Sequence, residues 1–268
     1  MLQKRRSPMI IAHRGASAFA PENTIAAFRL AAESGCEGIE MDLRLSKDAE
    51  AVVIHDKSLR RTGGLDRLVS ELSVNELKKI DVGSWFFRKY PKRFRREYSK
   101  ERVPTLKEVF HELSFYQGIF YLELKGKQSD IPKLAEAVDR AIPEEIRNRV
   151  IIKTFKIEQL PTIKSICSGT KLAALFAPKI LNVVRKEKRL IRLASQYGAD
   201  EISLHYTLIS RKLVRKALMR GLRIAVWTTD SPRRLRRAAS LGLDAVITND
   251  PARLLTAREG LNGYRMPL

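Results

Sequence analysis

Cysteine is scarce in this 268-residue chain, which has two, Cys36 and Cys167. Two thiols cannot staple a chain of this size, so a disulfide scaffold is excluded and stability has to come from a buried core. Long apolar runs are missing as well. No stretch approaches the ~20 residues that cross a bilayer. The basic start, residues 1–6, leads into a short strand pattern at 9–12 instead of the apolar segment of a signal peptide. A cytoplasmic location is expected. Acidic residues are in deficit, 30 against 51 basic ones, for a formal net charge of +21. Such an excess attracts anionic substrates, polyanions and acidic membrane surfaces, and it carries no information about fold. The positive charge recurs in Arg185-Lys186, Lys188-Arg189, Arg211-Lys212, Arg215-Lys216, Arg233-Arg234 and Arg236-Arg237, each within a helix-like segment. These read as solvated helix faces in preference to a nucleic-acid groove, and no signature of a DNA- or RNA-binding module is present. Weak contact with an anionic membrane surface and no specific nucleic-acid partner are expected.

What is present is a rhythm. Apolar residues make up 44% of the chain, enough for a full core. Eight short apolar runs read as buried strands: 9–12, 38–43, 119–124, 150–154, 172–176, 201–204, 223–228 and 245–248. Amphipathic segments lie between them at 24–34, 106–113, 131–140, 158–166, 184–197, 211–220 and 232–241, several ending on glycine as helix C-caps favour. Strand–helix alternation predicts an α/β fold with a parallel sheet. Eight such units in this length predict a (β/α)8 TIM barrel formed by residues 8–256, with an open doubly wound sheet as the alternative. One stretch breaks the pattern. Residues 51–54 can form a hairpin with the end of the second strand, and 56–102 contain no strand–helix unit. They form a small insertion after the second strand, with a short helix at 73–80 capped by Ser73 and Glu76. Insertions this long at a strand end are usually functional.

Active sites of such barrels sit at the C-terminal ends of the strands. Here those ends are polar: His13-Arg14 after the first strand, Glu40 and Asp42 on the second, His55 after the hairpin, Glu123 and Lys125 on the third, Trp227 on the seventh. Glu40 and Asp42 are two residues apart, so a strand points both to one side. With Glu123 they would form a three-carboxylate cluster inside an apolar barrel, and such a cluster needs compensating positive charge. One divalent cation, Ca2+ or Mg2+, suits carboxylate oxygens; buried ion pairs with Arg14 and Lys125 are the competing explanation. His13 and His55 offer imidazoles that titrate in the range an acid–base pair needs. Arg14 and Lys125 could hold a phosphate. His111 and His205 read as ordinary packed residues, and so do Cys36 and Cys167.

The segment from His13 to Phe28, HRGASAFAPENTIAAF, resembles the opening motif of the glycerophosphodiester phosphodiesterase family. EMDLRLSKD followed by HDKSLRRT resembles its second block, LELK its third, and VWTTD and ITNDP its closing blocks. The likeness runs over nearly the whole chain, and the first two blocks are its most specific part. It implies metal-dependent hydrolysis of glycerophosphodiesters to glycerol 3-phosphate and an alcohol. It implies a catalytic pair at His13 and His55 and metal ligands at Glu40, Asp42 and Glu123. Arg14, Lys125 and Trp227 would be at the substrate, Glu22 and Asn23 would be supports behind the site, and 56–102 would lie over the barrel mouth. Trp85 and Phe86 match a packing motif, so a core role is expected for them. Ser46 and Thr229 depart from the usual residues, and the loop at Arg61-Thr62-Gly63 is short. Two other readings stay open: a lysophospholipase D-like or phospholipase C-like barrel acting on lipid, and a catalytically inactive basic barrel that binds membranes or nucleic acid.

Overall fold

The computed structural model describes residues 7–178 and 187–263. The start of the expected helix 184–197 and the pair Arg185-Lys186 lie outside the described residues. The strands in chain order are β1 (Met9–His13), β2 (Gly38–Leu45), β3 (Ala51–Val53), β4 (Ile119–Leu124), β5 (Val150–Thr154), β6 (Lys171–Phe176), β7 (Glu201–His205), β8 (Arg223–Trp227) and β9 (Ala245–Thr248). All but β3 form one parallel ring, because β1 pairs with β9 on one side and with β2 on the other. The sheet is therefore a closed eight-stranded barrel, and the open-sheet alternative is ruled out.

Closure explains the continuous apolar runs. Each strand is covered on both faces, so alternation separates two apolar sets in place of an apolar and a polar one. Ile11, Tyr121, Ile151, Ala173, Ala225 and Ile247 fill the barrel interior. Ile10, Ile39, Leu122, Ile152 and Ile224 point outward into the larger core under the helices. Those helices are α1 (Ile25–Glu33), α5 (Leu106–Glu112), α6 (Ile131–Ala141), α7 (Leu160–Ile166), α8 (Glu187–Gln196), α9 (Arg211–Leu218), α10 (Pro232–Leu241) and α11 (Pro251–Gly263), with the short α2 (Arg60–Gly63), α3 (Val74–Leu77) and α4 (Trp85–Lys89) in the insertion. The Thr24 hydroxyl accepts from the Ala27 amide to start α1, and Gly242 at φ 73° ends α10.

β2 runs two residues beyond its expected end because β3 folds back on it, Leu43 facing Val53 and Leu45 facing Ala51. The insertion follows, and Ser73 and Glu76 form the anticipated reciprocal cap. It has its own apolar cluster, including Leu59, Val69, Leu77 and Val103. Trp85 and Phe86 are buried beside Tyr98 against Ala20 and Ala27, which is the core role expected of them. Both cysteines are free and buried. Arg211, Lys212 and Arg215 of α9 and Arg233, Arg234, Arg236 and Arg237 of α10 are exposed, while Lys216 is half-buried. His111 is exposed in the last turn of α5, not packed in the core.

Candidate active site

The turn after β1 explains why His-Arg-Gly is written there. Arg14 and Gly15 both have positive φ, 57° and 79°. A β-carbon on Gly15 would meet the backbone of Ala27 at 2.6 Å, so glycine alone lets the turn press against α1. This contorted backbone carries the Arg14 side chain into the barrel mouth. There the guanidinium donates to Glu22 at 2.8 Å and lies 3.0 Å from Asp42, while the Arg14 amide donates to Glu40 at 3.0 Å. Asn23 supports Asp42 from behind, its amide nitrogen donating to the carboxylate at 2.9 Å and its oxygen accepting from the Asp42 amide at 3.2 Å.

Glu40, Asp42 and Glu123 come together as their strand positions require, each offering an oxygen within 4.8 Å of the others. Asp42 faces Glu123 across the β2–β4 pairing. Burial pushes the Asp42 carboxyl up, but Lys125 and Arg14 outweigh it and hold it well below the ordinary carboxylate range. Burial likewise raises Glu40, and the Lys153 ammonium, 2.7 Å away, brings it below its ordinary value. The Lys125 ammonium bridges Asp42, at 3.2 Å, and Glu123. Ion pairing by Arg14 and Lys125, the competing explanation from the sequence, is thus formed. The lysine ammoniums reach the oxygens that face one another in the cluster: Lys153 lies 2.7 Å from Glu40 Oε1, and Lys125 contacts Asp42 Oδ1 at 3.2 Å and also Glu123 Oε1. Three converging carboxylates are also the donor set that suits a hard divalent cation, which would compete with these ammoniums for the same oxygens.

The two histidines are held alike. His55 Nδ1 lies 2.7 Å from Asp56 Oδ1, and Arg61 clamps the other Asp56 oxygen at 2.5 Å. His13 Nδ1 lies 2.8 Å from Asn249 Oδ1. Asn249 in turn donates its amide nitrogen to Asp230 at 2.8 Å, and the Asn249 backbone amide donates to the other Asp230 oxygen at 2.8 Å. An ionised carboxylate only accepts, so Asp230 fixes which way the Asn249 amide faces. Both imidazoles therefore carry hydrogen on Nδ1, and when neutral each leaves Nε2 as the basic atom. His13 Nε2 is 3.9 Å from Glu40. Both rings are close enough to Asp42 to help keep it ionised.

Sequence reasoning missed Lys153, Asn249 and Asp230. Lys153 could have been found, since a lone lysine in the strand VIIKT sits one step inward from Ile151 and pairs in register with Glu123. Asn249 and Asp230 belong to the closing blocks quoted for their likeness alone. Trp227 is placed at the mouth through Phe155, whose ring lies 5.9 Å from the Lys125 ammonium. Its ring packs edge-on against Phe155 at 5.8 Å and His205 at 5.3 Å, forming an aromatic rim across the mouth. A cavity of about 350 Å³ opens over His13 and Arg14, walled by Glu22, Asn249 and, from the insertion, Trp85 and Arg93.

A parallel barrel with ionised acids and oriented imidazoles at its C-terminal mouth defines a (β/α)8 barrel hydrolase. The model of the glycerophosphoryl diester phosphodiesterase family matches residues 13–253. A glycerophosphodiester phosphodiesterase from Caldanaerobacter subterraneus subsp. tengcongensis is 33% identical over 250 residues, covering 92% of this chain and 96% of that protein. The structure of an Oleispira antarctica phosphodiesterase in complex with the product sn-glycerol-3-phosphate is 26% identical, with a TM-score of 0.81 over 94% of this chain and 97% of that one. A glycerophosphodiester phosphodiesterase from Thermotoga maritima is 27% identical, with a TM-score of 0.73 over 94% and 98%. The chain belongs to the glycerophosphoryl diester phosphodiesterase family.

Proposed function

We propose that this chain hydrolyses glycerophosphodiesters to glycerol 3-phosphate and an alcohol, using His13 and His55 as an acid–base pair beside a divalent cation held by Glu40, Asp42 and Glu123. The observation that carries the reading is the coincidence at one mouth of three buried carboxylates and two imidazoles, each fixed through Nδ1. Glu40, Asp42 and Glu123 would hold Ca2+ or Mg2+, which would supply positive charge to offset the phosphate and ease proton removal. Arg14 and Lys125 add fixed positive charge for the phosphodiester, and Glu22 and Asn23 keep Arg14 and Asp42 in place. One imidazole accepts the proton of the attacking oxygen at Nε2, and the other, protonated, delivers one to the departing alcohol. Trp227 and Phe155 offer an apolar surface to the carbon atoms of the substrate. The insertion, residues 56–102, contributes a wall of the cavity above the reacting groups. Action in the cytoplasm suits two free thiols. The net charge of +21 adds weak, salt-sensitive attraction to anionic membrane surfaces. The experiment is a release assay, for glycerol 3-phosphate with glycerophosphocholine, glycerophosphoethanolamine and glycerophosphoglycerol, and for choline or phosphocholine with lysophosphatidylcholine, whose glycerol keeps its acyl chain. Turnover of the soluble diesters is expected. Release confined to the lysolipid would shift the reading to a lipid-cleaving barrel, and none from any of the four would contradict it.

A further inference from the structure

The part of the insertion next to the mouth combines exposed aromatic rings with concentrated positive charge. Between residues 88 and 102 the chain places eight lysines and arginines against two glutamates. Lys92, Arg95 and Arg96 are exposed. Among them Phe87 stands 54% exposed, its ring packed edge-on against Phe94 at 5.4 Å, and Phe19 from the β1 turn stands 37% exposed beneath the Arg93 guanidinium at 4.7 Å. Behind these rings runs an apolar groove of about 640 Å³ lined by Ala16, Phe19, Leu30, Phe94 and Pro251, with Lys92 and Arg95 at its edge. Arg93 lines both this groove and the cavity over His13.

We infer that this surface, built from residues 87–96 and Phe19, docks on an anionic phospholipid bilayer and seats the barrel mouth beside it. Each half of the pattern matches one layer of that partner. Phenylalanine rings with exposed edges suit the boundary between headgroups and acyl chains, and lysine and arginine heads reach anionic headgroups while their stems cover apolar surface. Net charge alone would spread binding over the whole molecule, whereas this patch brings cations, exposed phenylalanines and an apolar groove together. A single-stranded nucleic acid would also meet the cations and could stack on the rings, but it would leave the groove without an apolar occupant.

The test is co-sedimentation at low salt with vesicles of phosphatidylcholine alone and of phosphatidylcholine mixed with phosphatidylglycerol. The wild-type chain is expected to bind the mixed vesicles and not the neutral ones. Lys92→Glu/Arg95→Glu/Arg96→Glu should weaken binding by about ten-fold or more, and Phe87→Ser by a few-fold, with unchanged circular dichroism and thermal melting. The reference variant Lys188→Glu/Arg189→Glu/Arg192→Glu makes the same charge change on α8, which packs on β6 and β7 across the ring from β1 and β2. It should bind nearly as wild type does. Equal loss in both triple variants would reduce the effect to net charge and overturn the proposal. Retention of vesicle binding by the 92/95/96 variant, together with loss of binding to a single-stranded RNA homopolymer, would overturn it in favour of nucleic acid.

Discussion

The barrel buries carboxylates at both ends of its interior, with opposite results. At the mouth, Glu40 and Asp42 lie beside Arg14, Lys125 and Lys153 and are held below their ordinary values despite complete burial. At the floor, Glu201 opens β7 with the Tyr121 hydroxyl donating to it at 2.9 Å and Arg223 no nearer than 3.9 Å. Burial dominates there and pushes the Glu201 carboxyl up to about 7. The same barrel and the same dryness thus yield an acid that readily takes up a proton and acids that keep their charge. The difference is the number and closeness of the cations. A cation bound at the mouth would need ionised ligands, and the neighbouring positive charges keep Glu40 and Asp42 in that form.

The comparison can be broken most severely at the mouth. Asp42→Asn or Glu123→Gln removes a carboxylate donor and is expected to reduce glycerol 3-phosphate release to near background, with metal content falling in parallel. Unchanged metal content with lost activity would detach these acids from the cation. The histidines come next. Acid–base catalysis is typically worth about 10²- to 10⁴-fold. His13→Ala and His55→Ala should each lose turnover in that range while melting as wild type does, and the double variant should lose less than the product of the two, since they act as one unit. A folded His55→Ala enzyme at near-normal rate would remove it from the pair.

Two further substitutions sharpen the contrast in stability. Lys153→Met takes the nearest cation from Glu40, and breaking a buried pair costs about 3–5 kcal/mol. Urea unfolding at neutral pH should show that loss, shrinking as pH falls and Glu40 takes up a proton. Glu201→Gln should work the other way, with a smaller effect. The folded-state value of Glu201 is about 7 against an ordinary 4.5, so the folded chain holds that proton longer than the unfolded one. Its contribution is intact below about 4.5 and lost as pH rises through about 7, by on the order of 3 kcal/mol. The glutamine variant should match wild type near pH 4.5 and exceed it above pH 7. Asp42, with a lowered value, gives the reverse slope: its contribution is present above 3.8 and lost in more acidic solution.

Much of this was legible in the sequence because barrel strands buried on both faces leave continuous apolar runs, and because a charged residue inside such a run is conspicuous. Glu40, Asp42 and Glu123 were found that way, and His13 and His55 by their place just past a strand. Lys153 is harder to read because it stands within β5 and its partners, Glu40 and Glu123, come from other strands. Asn249 and Asp230 escaped because their role depends on an amide orientation set by a partner 19 residues away, which no local pattern encodes. The groove beside Phe19 was illegible for a similar reason, since it joins the β1 turn, α1, the insertion and the start of α11.

The central claim is that the ionised mouth carboxylates hold the cation on which hydrolysis depends. The most direct measurement is to strip the protein with chelator, verify its metal content by elemental analysis, and follow glycerol 3-phosphate release from glycerophosphocholine while Ca2+ or Mg2+ is returned. The expected result is no turnover in the stripped protein and recovery that saturates at one bound ion per chain, absent in Glu40→Gln. Full turnover by protein shown to contain no metal would contradict the account.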